Sequence, residues 1–390
     1  MILVKATTIS MRDLLNWMSD HETSILRLMK TMVEIESPTD NKAAVDELGA
    51  MVAKEWNHRG ARVRLLRQRE RGNHIGADLW LGRGRPSGQI MILGHLDTVY
   101  PLGTLRKMPF LIANGRAWGP GTFDMKGGLT IALAAVDALR AFGIRPRKKF
   151  TFLWTSDEET GSHSSRRAIE NTARESDAVF VLEPSFGLDG RFKTQRKGVG
   201  EAQLTVTGRS AHAGIDPERG VNAVHEISLQ IARLMELNNP RRGITLQANV
   251  VEGGTATNVV PDRACARIDV RATRAEDAAA LNRRLHAIRP IMPGAKIEVR
   301  GGVNRPPMER SAGSRKLFQL ARELAREMGL DLNEASTGGG SDGNFTAALG
   351  IPTLDGMGAV GDGAHSPKEH VVIRGLLQHA ALLAGLLATI

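Results

Sequence analysis

The chain of 390 residues contains one cysteine and one tyrosine, and aromatic residues make up only 4% of it. A single cysteine excludes an intrachain disulfide, which is typical of proteins kept in a reducing compartment. Cys265 lies in a stretch that alternates like a β-strand, so we expect an inert sheet residue there and not a nucleophile. The scarcity of aromatic side chains argues against a stacking platform for single-stranded nucleic acid.

The sequence also lacks a long uninterrupted hydrophobic run. Residues 371–390 are rich in apolar side chains but are interrupted by Arg374, Gln378 and His379. The remaining run is shorter than the roughly 20 residues that span a bilayer, so we predict a helix packed in the core. The first ten residues show no signal-peptide pattern. We therefore expect a cytoplasmic protein without a membrane partner.

Positive charge is in excess, with a formal net charge of +10. Such a balance can attract nucleic acid, anionic lipid or acidic substrates. The basic clusters, such as 145–149 and 241–242, are short and have no aromatic residues between them. We interpret them as a solvated surface and expect no nucleic-acid partner.

The first half of the chain alternates helical and strand-like patterns. Helices are predicted at 41–58, with Asp40 as the N-cap, and at 126–142, while short apolar strands are predicted at 89–93, 150–154 and 178–182. This alternation favours an α/β fold in which a mostly parallel sheet is flanked by helices.

The pattern changes near Lys197. The order becomes strand, helix, strand, strand, helix, strand, predicted at 201–207, 221–237, 243–251, 263–271, 275–288 and 296–300. This order indicates a ferredoxin-like α+β domain inserted into the first domain. We predict a catalytic domain at 1–196 and 305–390, and an inserted domain at 197–304.

Chemistry-bearing residues follow the predicted strands. His95 and Asp97 come directly after one strand, in a position where open α/β sheets bind ligands. Three acids, Asp157, Glu158 and Glu159, come after another. Glu183 ends a third strand, where an unpaired carboxylate would be costly.

Two further segments complete the set. Asp124 lies in a Gly-rich loop, 119–128, that opens a helix, and His365 lies in a polar loop before the last helix. Taken singly, each residue has an ordinary explanation: a loop histidine, a phosphate-binding loop, or an acid that caps a helix starting near Ser162. Taken together, two histidines, a potentially shared aspartate and two glutamates are the ligands expected for two zinc ions.

The ordered motifs resemble the M20 family of metallopeptidases, nearest to its glutamate carboxypeptidase branch. Residue 125 departs from that branch, because Met125 stands where the branch often has an acid. The matching segments run through most of the chain: 94–99, 119–128, 157–162, 182–184, 208–214, 253–261, 269–271, 337–342 and 365–366.

The resemblance implies a centre of two Zn²⁺ per subunit, with Co²⁺ or Mn²⁺ as substitutes. One zinc would be held by His95 and Glu183, the other by Glu159 and His365, with Asp124 bridging them. The resemblance also implies a cis peptide bond between Asp124 and Met125.

Other roles follow from the same resemblance. Asp97 would orient His95, Glu158 would be the general base, and His212 would reach the active site of the partner subunit of a homodimer and stabilise the oxyanion. The inserted domain would serve as lid and dimerisation domain. Substrate would be bound by residues of that domain and of the 337–342 motif: Asn258, Arg271 and Gly339.

The implied activity is hydrolysis of an amide bond next to a free carboxylate in an N-acyl amino acid or short peptide. Three alternatives stay open: an N-acyl amino acid deacylase, an aromatic-amide hydrolase of the same family, and a non-catalytic binding homologue. Arg305 is either a further contact to the substrate carboxylate or an exposed turn residue.

Overall fold

The computed structural model describes residues 9–390. The chain divides into two compact units. Unit 1 comprises Met1–Thr194, Arg310–Ser336 and Ser341–Ile390, and unit 2 comprises Gln195–Glu309 and Thr337–Gly340. Unit 2 therefore contains the short segment with Gly339 in addition to one long insertion.

The described residues form ten α-helices and eighteen β-strands. In chain order, helices α1 to α10 are Met11–Asp20, Glu22–Val33, Lys42–His58, Gly127–Ala141, Arg166–Arg174, Ala223–Met235, Ala275–His286, Ala312–Glu327, Gly343–Ala348 and Ile373–Thr389. Strands β1 to β18 are Arg62–Leu66, His74–Leu79, Gln89–His95, Leu111–Ala113, Arg116–Trp118, Lys149–Thr155, Ala178–Val181, Phe192–Arg196, Gly198–Thr207, Ala211–His212, Thr245–Gly253, Val259–Val260, Arg263–Ala272, Lys296–Arg305, Glu334–Thr337, Thr353–Leu354, Gly361–Asp362 and His370–Val372.

Unit 1 is built on a six-stranded sheet with the order β1-β2-β6-β3-β7-β16. Strands β6, β3, β7 and β16 are parallel neighbours, whereas β1 and β2 are antiparallel. All seven residues of β3 are buried, as expected for a strand covered on both faces. The predicted α/β fold with a mostly parallel sheet is confirmed.

Helices α4 and α10 contact each other in the core of this unit. Both are apolar along most of their length because nearly every side chain is buried, including Leu133, Val136, Leu376 and Leu383. The prediction of a core-packed C-terminal helix is confirmed. Among residues 9–390, no helix is both long and apolar enough to span a membrane.

Unit 2 contains a four-stranded antiparallel sheet with the order β11-β13-β9-β14. Helices α6 and α7 pack on it around buried residues such as Leu204, Ile227, Ile268 and Leu281. The predicted order of strands and helices is confirmed. Cys265 lies half-buried within β13, where its sulfur accepts a hydrogen bond from the Gln203 amide at 3.3 Å.

Three local predictions are wrong. The N-cap of α3 is Asn41 and not Asp40, because the Asn41 side chain accepts the hydrogen bond from the Ala44 amide at 3.1 Å. Helix α5 begins at Arg166, beyond the expected start near Ser162. Arg305 is buried at the end of β14, so the exposed-turn alternative fails for that residue.

Candidate metal centre

The site begins where two neighbouring parallel strands end. His95 is the last residue of β3, and Glu183 lies two residues beyond β7. Because parallel strands end at the same edge of a sheet, their following side chains meet there. The distance from His95 Nε2 to Glu183 Oε1 is 3.6 Å.

Asp97 fixes the orientation of the His95 ring. The Nδ1 atom of His95 lies 2.9 Å from the Asp97 backbone oxygen and 3.5 Å from its carboxylate. A proton on Nδ1 satisfies these acceptors and leaves the Nε2 lone pair for a metal ion. Both residues are almost fully buried, so water cannot readily replace these contacts.

Asp124 lies between the two histidines. Its Oδ1 atom is 3.2 Å from His95 Nε2, and its Oδ2 atom is 3.4 Å from His365 Nε2. His365 Nε2 is also 3.2 Å from Glu159 Oε2. The structure thus brings all five predicted ligands into one cluster within unit 1, with the two Asp124 oxygens directed at different imidazoles.

The aspartate that orients His95 also holds the acid run, which is the segment of three acidic residues at 157–159. The Asp97 carboxylate accepts hydrogen bonds from the Glu158 amide at 3.3 Å and the Glu159 amide at 3.2 Å. It also accepts the Thr39 hydroxyl at 2.7 Å. A short 3₁₀ turn, Glu158–Thr160, follows, so the two adjacent glutamates leave the backbone in different directions.

The donor set fits a cation. Ligand atoms of His95, Glu158 and Glu183 lie within 4.8 Å of one another, as do those of His95, Asp124 and Glu159. Glu159 Oε1 is buried and makes no hydrogen bond to any residue from 9 to 390. An orphaned carboxylate oxygen is costly in a protein interior, and a metal ion would satisfy it. Mixed imidazole and carboxylate ligands favour zinc.

The electrostatics agree with this interpretation. Burial raises the pKa of Glu159 to about 7. Hydrogen bonds to Asp124 and Glu159 raise the pKa of His365 to about 10. Burial opposes the charged form of His95, but hydrogen bonds to Asp124 and Asp97 outweigh it and raise the pKa of His95. These raised pKa values favour protonated imidazoles in the metal-free protein, so a metal ion would compete with protons for the ring nitrogens.

Glu369 is a site residue that the sequence analysis missed. Its buried carboxylate accepts hydrogen bonds from the backbone amides of Phe123 at 2.8 Å and Asp124 at 2.9 Å. The only available signal was its position four residues after His365. In the loop that it holds, the Asp124-Met125 peptide bond is cis, which confirms that prediction.

Two predicted site residues lie side by side in unit 2. His212 is the last residue of β10, which pairs with β12, and the Asn258 carbonyl accepts a hydrogen bond from the Ala213 amide. His212 Nδ1 accepts from the amides of Gly214 at 3.1 Å and Ile215 at 3.2 Å. The proton of the neutral ring therefore lies on Nε2, which makes that atom a hydrogen-bond donor in an exposed side chain.

Arg271 and Gly339 lie in another part of unit 2. The Arg271 guanidinium donates to both Asp269 carboxylate oxygens, at 2.9 and 3.0 Å, and to the Gly338 carbonyl at 2.7 Å. The Gly339 carbonyl accepts from Arg196 at 3.3 Å. Hydrogen bonding to Asp269 raises the pKa of Arg271, so its charge is permanent. Whether these residues contact substrate stays a prediction.

A sizeable cavity of unit 1 lies elsewhere. It has a volume of about 840 Å³ and is lined by β1, α5 and neighbouring residues. None of the candidate ligands lines it, although His74 and Ser164, which hydrogen-bond near the acid run, do. The site is therefore identified by its ligand geometry and not by concavity.

Comparison with known proteins places this geometry in a family. Residues 91–389 match the model of peptidase family M20/M25/M40. The chain is 31% identical to carboxypeptidase G2 of Pseudomonas sp. (strain RS-16), over 91% of this chain and 86% of that protein. It is 30% identical to a succinyl-diaminopimelate desuccinylase of Dechloromonas aromatica (strain RCB), over 78% of this chain and 84% of that protein.

A solved structure agrees in fold. Aminopeptidase PepT of Bacillus cereus ATCC 10987 superposes with a TM-score of 0.79 at 22% identity, covering 94% of this chain and 98% of that one. The likeness extends over both units of the chain. The chain therefore belongs to peptidase family M20/M25/M40 and is a metal-dependent hydrolase of that family.

Proposed function

We propose that the protein is a two-zinc hydrolase that cleaves the amide bond of an N-acyl amino acid or short peptide next to a free carboxylate. The observation that carries the proposal is the position of Asp124, whose two carboxylate oxygens lie 3.2 and 3.4 Å from the Nε2 atoms of two different histidines. Similarity to carboxypeptidase G2 supports the same substrate class.

One metal ion would be held by His95 and Glu183, and the other by His365 and Glu159. Asp124 would be a ligand of both. When bound, zinc supplies Lewis acidity, which lowers the pKa of water and polarises a carbonyl group. Cobalt or manganese could substitute.

Glu158 would carry out the proton transfers of the reaction. Its carboxylate lies in the same group as His95 and Glu183, so it is adjacent to the reacting centre. Glu158 would take a proton from the attacking water and deliver it to the leaving amine nitrogen. Asp97 holds the Glu158 and Glu159 amides in place during both steps.

Residues of unit 2 would act on the substrate. The Nε2–H of His212 would donate to the oxyanion that develops on the scissile carbonyl; one such donor is typically worth about 3–4 kcal/mol. We propose that it does so in the active site of the partner subunit of a homodimer. Arg271, held by Asp269, would bind the substrate carboxylate together with Asn258 and Gly339.

A deacylase that removes an acyl group such as succinyl from an amino acid is a second candidate. Similarity to the desuccinylase favours it. Both candidate activities hydrolyse the same amide bond and differ in which half of the substrate is recognised. The residues named above would therefore have the same roles in either activity.

The test is a panel of substrates given to zinc-loaded protein. The panel contains p-aminobenzoyl, folate-like, acetyl and succinyl derivatives of glutamate, aspartate, ornithine and neutral amino acids. We expect turnover of one acyl class that chelation abolishes, and a loss of at least about 10-fold in kcat/KM when the α-carboxylate is replaced by carboxamide, since an ionic hydrogen-bond pair is removed. Two bound zinc ions without turnover of any member would instead point to a specialised substrate or to a non-catalytic homologue.

A further inference from the structure

Glu369 joins two loops that carry candidate metal ligands. Its carboxylate is fully buried and accepts hydrogen bonds from the amides of Gly121 at 3.1 Å, Phe123 at 2.8 Å and Asp124 at 2.9 Å. Its own backbone oxygen also accepts from the Gly119 amide at 3.3 Å. The loop that presents Asp124 is therefore held at four points by one residue.

Tyr100 completes the connection. Its hydroxyl lies in short contact with Glu369 Oε2 and 3.0 Å from the backbone oxygen of Ser366, the residue after His365. Tyr100 is the only tyrosine in the chain. It therefore ties the loop of His365 to the same carboxylate that holds the loop of Asp124. We call Tyr100 and Glu369 the brace.

The brace contacts the two loops that carry Asp124 and His365. His95 and Glu183 are positioned from the ends of the buried strands β3 and β7. His365 instead has a side chain that is 49% exposed, and it lies in a loop with a positive φ of 61°. The loop of His365 connects the paired strands β17 and β18, and the contacts that tie it to the loop of Asp124 include those of the brace.

We propose, on the basis of the function proposed above, that Tyr100 and Glu369 are positioning residues that set the Asp124–Glu159–His365 subsite. The His95–Glu183 subsite shares Asp124 but takes its two other ligands from the ends of β3 and β7, so it depends less on the brace. The two zinc ions consequently differ in degree: strand ends supply two ligands of the first, whereas Asp124 and His365 of the second both lie in loops that the brace contacts.

The test is a competition titration of metal-free protein with zinc and a chromophoric chelator, which yields two dissociation constants. In Glu369→Gln the amide cannot accept from all the backbone donors, so the zinc at the Asp124–Glu159–His365 subsite, which we expect to be the weaker of the two, should lose at least about 10-fold in affinity, while the other changes less than about 3-fold. Tyr100→Phe should produce a smaller loss at the same site. Excess zinc should restore kcat in both variants with an unchanged KM.

Glu226→Gln is the matched control. Glu226 is also fully buried, and its carboxylate accepts from the amides of Ile291 at 2.9 Å and Met292 at 2.7 Å, but it lies in unit 2. This variant should lose stability without changing either zinc constant.

Three outcomes would contradict the proposed role of the brace. They are an equal loss of affinity for both zinc ions in Glu369→Gln, unchanged dissociation constants in that variant, or the same selective loss of affinity in Glu226→Gln. Wild-type protein that binds fewer than two zinc ions would instead overturn the proposed function. The two failures are therefore distinguishable.

Discussion

At the scale of single residues, the centre is assembled from imidazole and carboxylate groups that lie on separate strand ends and loops. His95, Asp124 and His365 are recognisable in the sequence because imidazole and carboxylate groups follow strands or lie in Gly-rich loops. In the structure the two Asp124 oxygens lie 3.2 Å from His95 Nε2 and 3.4 Å from His365 Nε2. Glu369 was missed, because a buried acid that accepts backbone hydrogen bonds has no spacing of its own. Its role depends on a loop more than 240 positions earlier.

Glu158 provides the most direct residue-scale prediction. Replacing it with Gln removes the proton acceptor and keeps the shape, so kcat should fall by at least about 10²-fold, as expected for loss of a general base. Two zinc ions should remain bound, as measured by elemental analysis of the purified variant. Glu175→Gln, an exposed glutamate on the surface of unit 1, should behave like wild type.

Loss of a zinc ion in the Glu158 variant would show that this carboxylate is a ligand, in line with its proximity to His95 and Glu183. Full activity with two zinc ions would remove Glu158 from the mechanism.

At the scale of elements, buried strands and apolar helices were predictable and their ends were less so. Strand β3 has a continuous apolar pattern and helix α10 has one that only a few polar residues interrupt, and both form where predicted. The start of α5 was misplaced, because Asp157 accepts hydrogen bonds from the Ser164 amide and hydroxyl, at 2.6 and 2.8 Å, before the helix begins. A local turn of this kind competes with helix formation and is not visible in hydrophobic periodicity.

Helix α10 also leads to a prediction about pH. His379 is 4% exposed on this helix, and its Nδ1 lies 2.6 Å from the Gly358 carbonyl. Burial lowers its pKa to about 4, against an ordinary value of 6.5. Between these two values the unfolded chain binds the proton and the folded chain does not, so falling pH favours unfolding.

The expected size follows from this linkage. Between pH 7 and pH 5, His379 should reduce the free energy of unfolding by about 2 kcal/mol. Urea unfolding of wild type and His379→Gln at both pH values, in the presence of a chelator, measures this decrease in the free energy of unfolding. The variant should not show it. His58→Gln, an exposed histidine on α3, is the control and should retain it. Equal pH dependence in wild type and His379→Gln would contradict the prediction.

At the scale of the whole molecule, the change of pattern near residue 197 predicts an inserted domain, and unit 2 begins at Gln195. The assignment of residues 337–340 to the same unit could not be read from the sequence. Those residues are distant along the chain and are connected to unit 2 by contacts such as that between Arg271 and the Gly338 carbonyl at 2.7 Å. Long-range contacts of this kind have no local signature.

The proposed sharing of His212 between subunits gives a whole-molecule prediction. The variants His212→Ala and Glu158→Ala should each be inactive as purified proteins. In an equal mixture that has exchanged subunits, half of the dimers are mixed and each has one complete site, so about a quarter of wild-type activity should return.

Activity that stays at the level of the separate variants, although sedimentation shows mixed dimers, would contradict the sharing. A chain that sediments as a monomer would contradict the dimer itself.

The central claim is that two zinc ions and the residues around Asp124 hydrolyse an amide bond. The most direct measurement is a zinc titration of metal-free protein, followed by the turnover of the preferred panel substrate at each step. The account predicts no turnover without metal and full turnover only when the second equivalent has bound. Turnover that is unaffected by removing the metal, or that is complete with one equivalent, would contradict it.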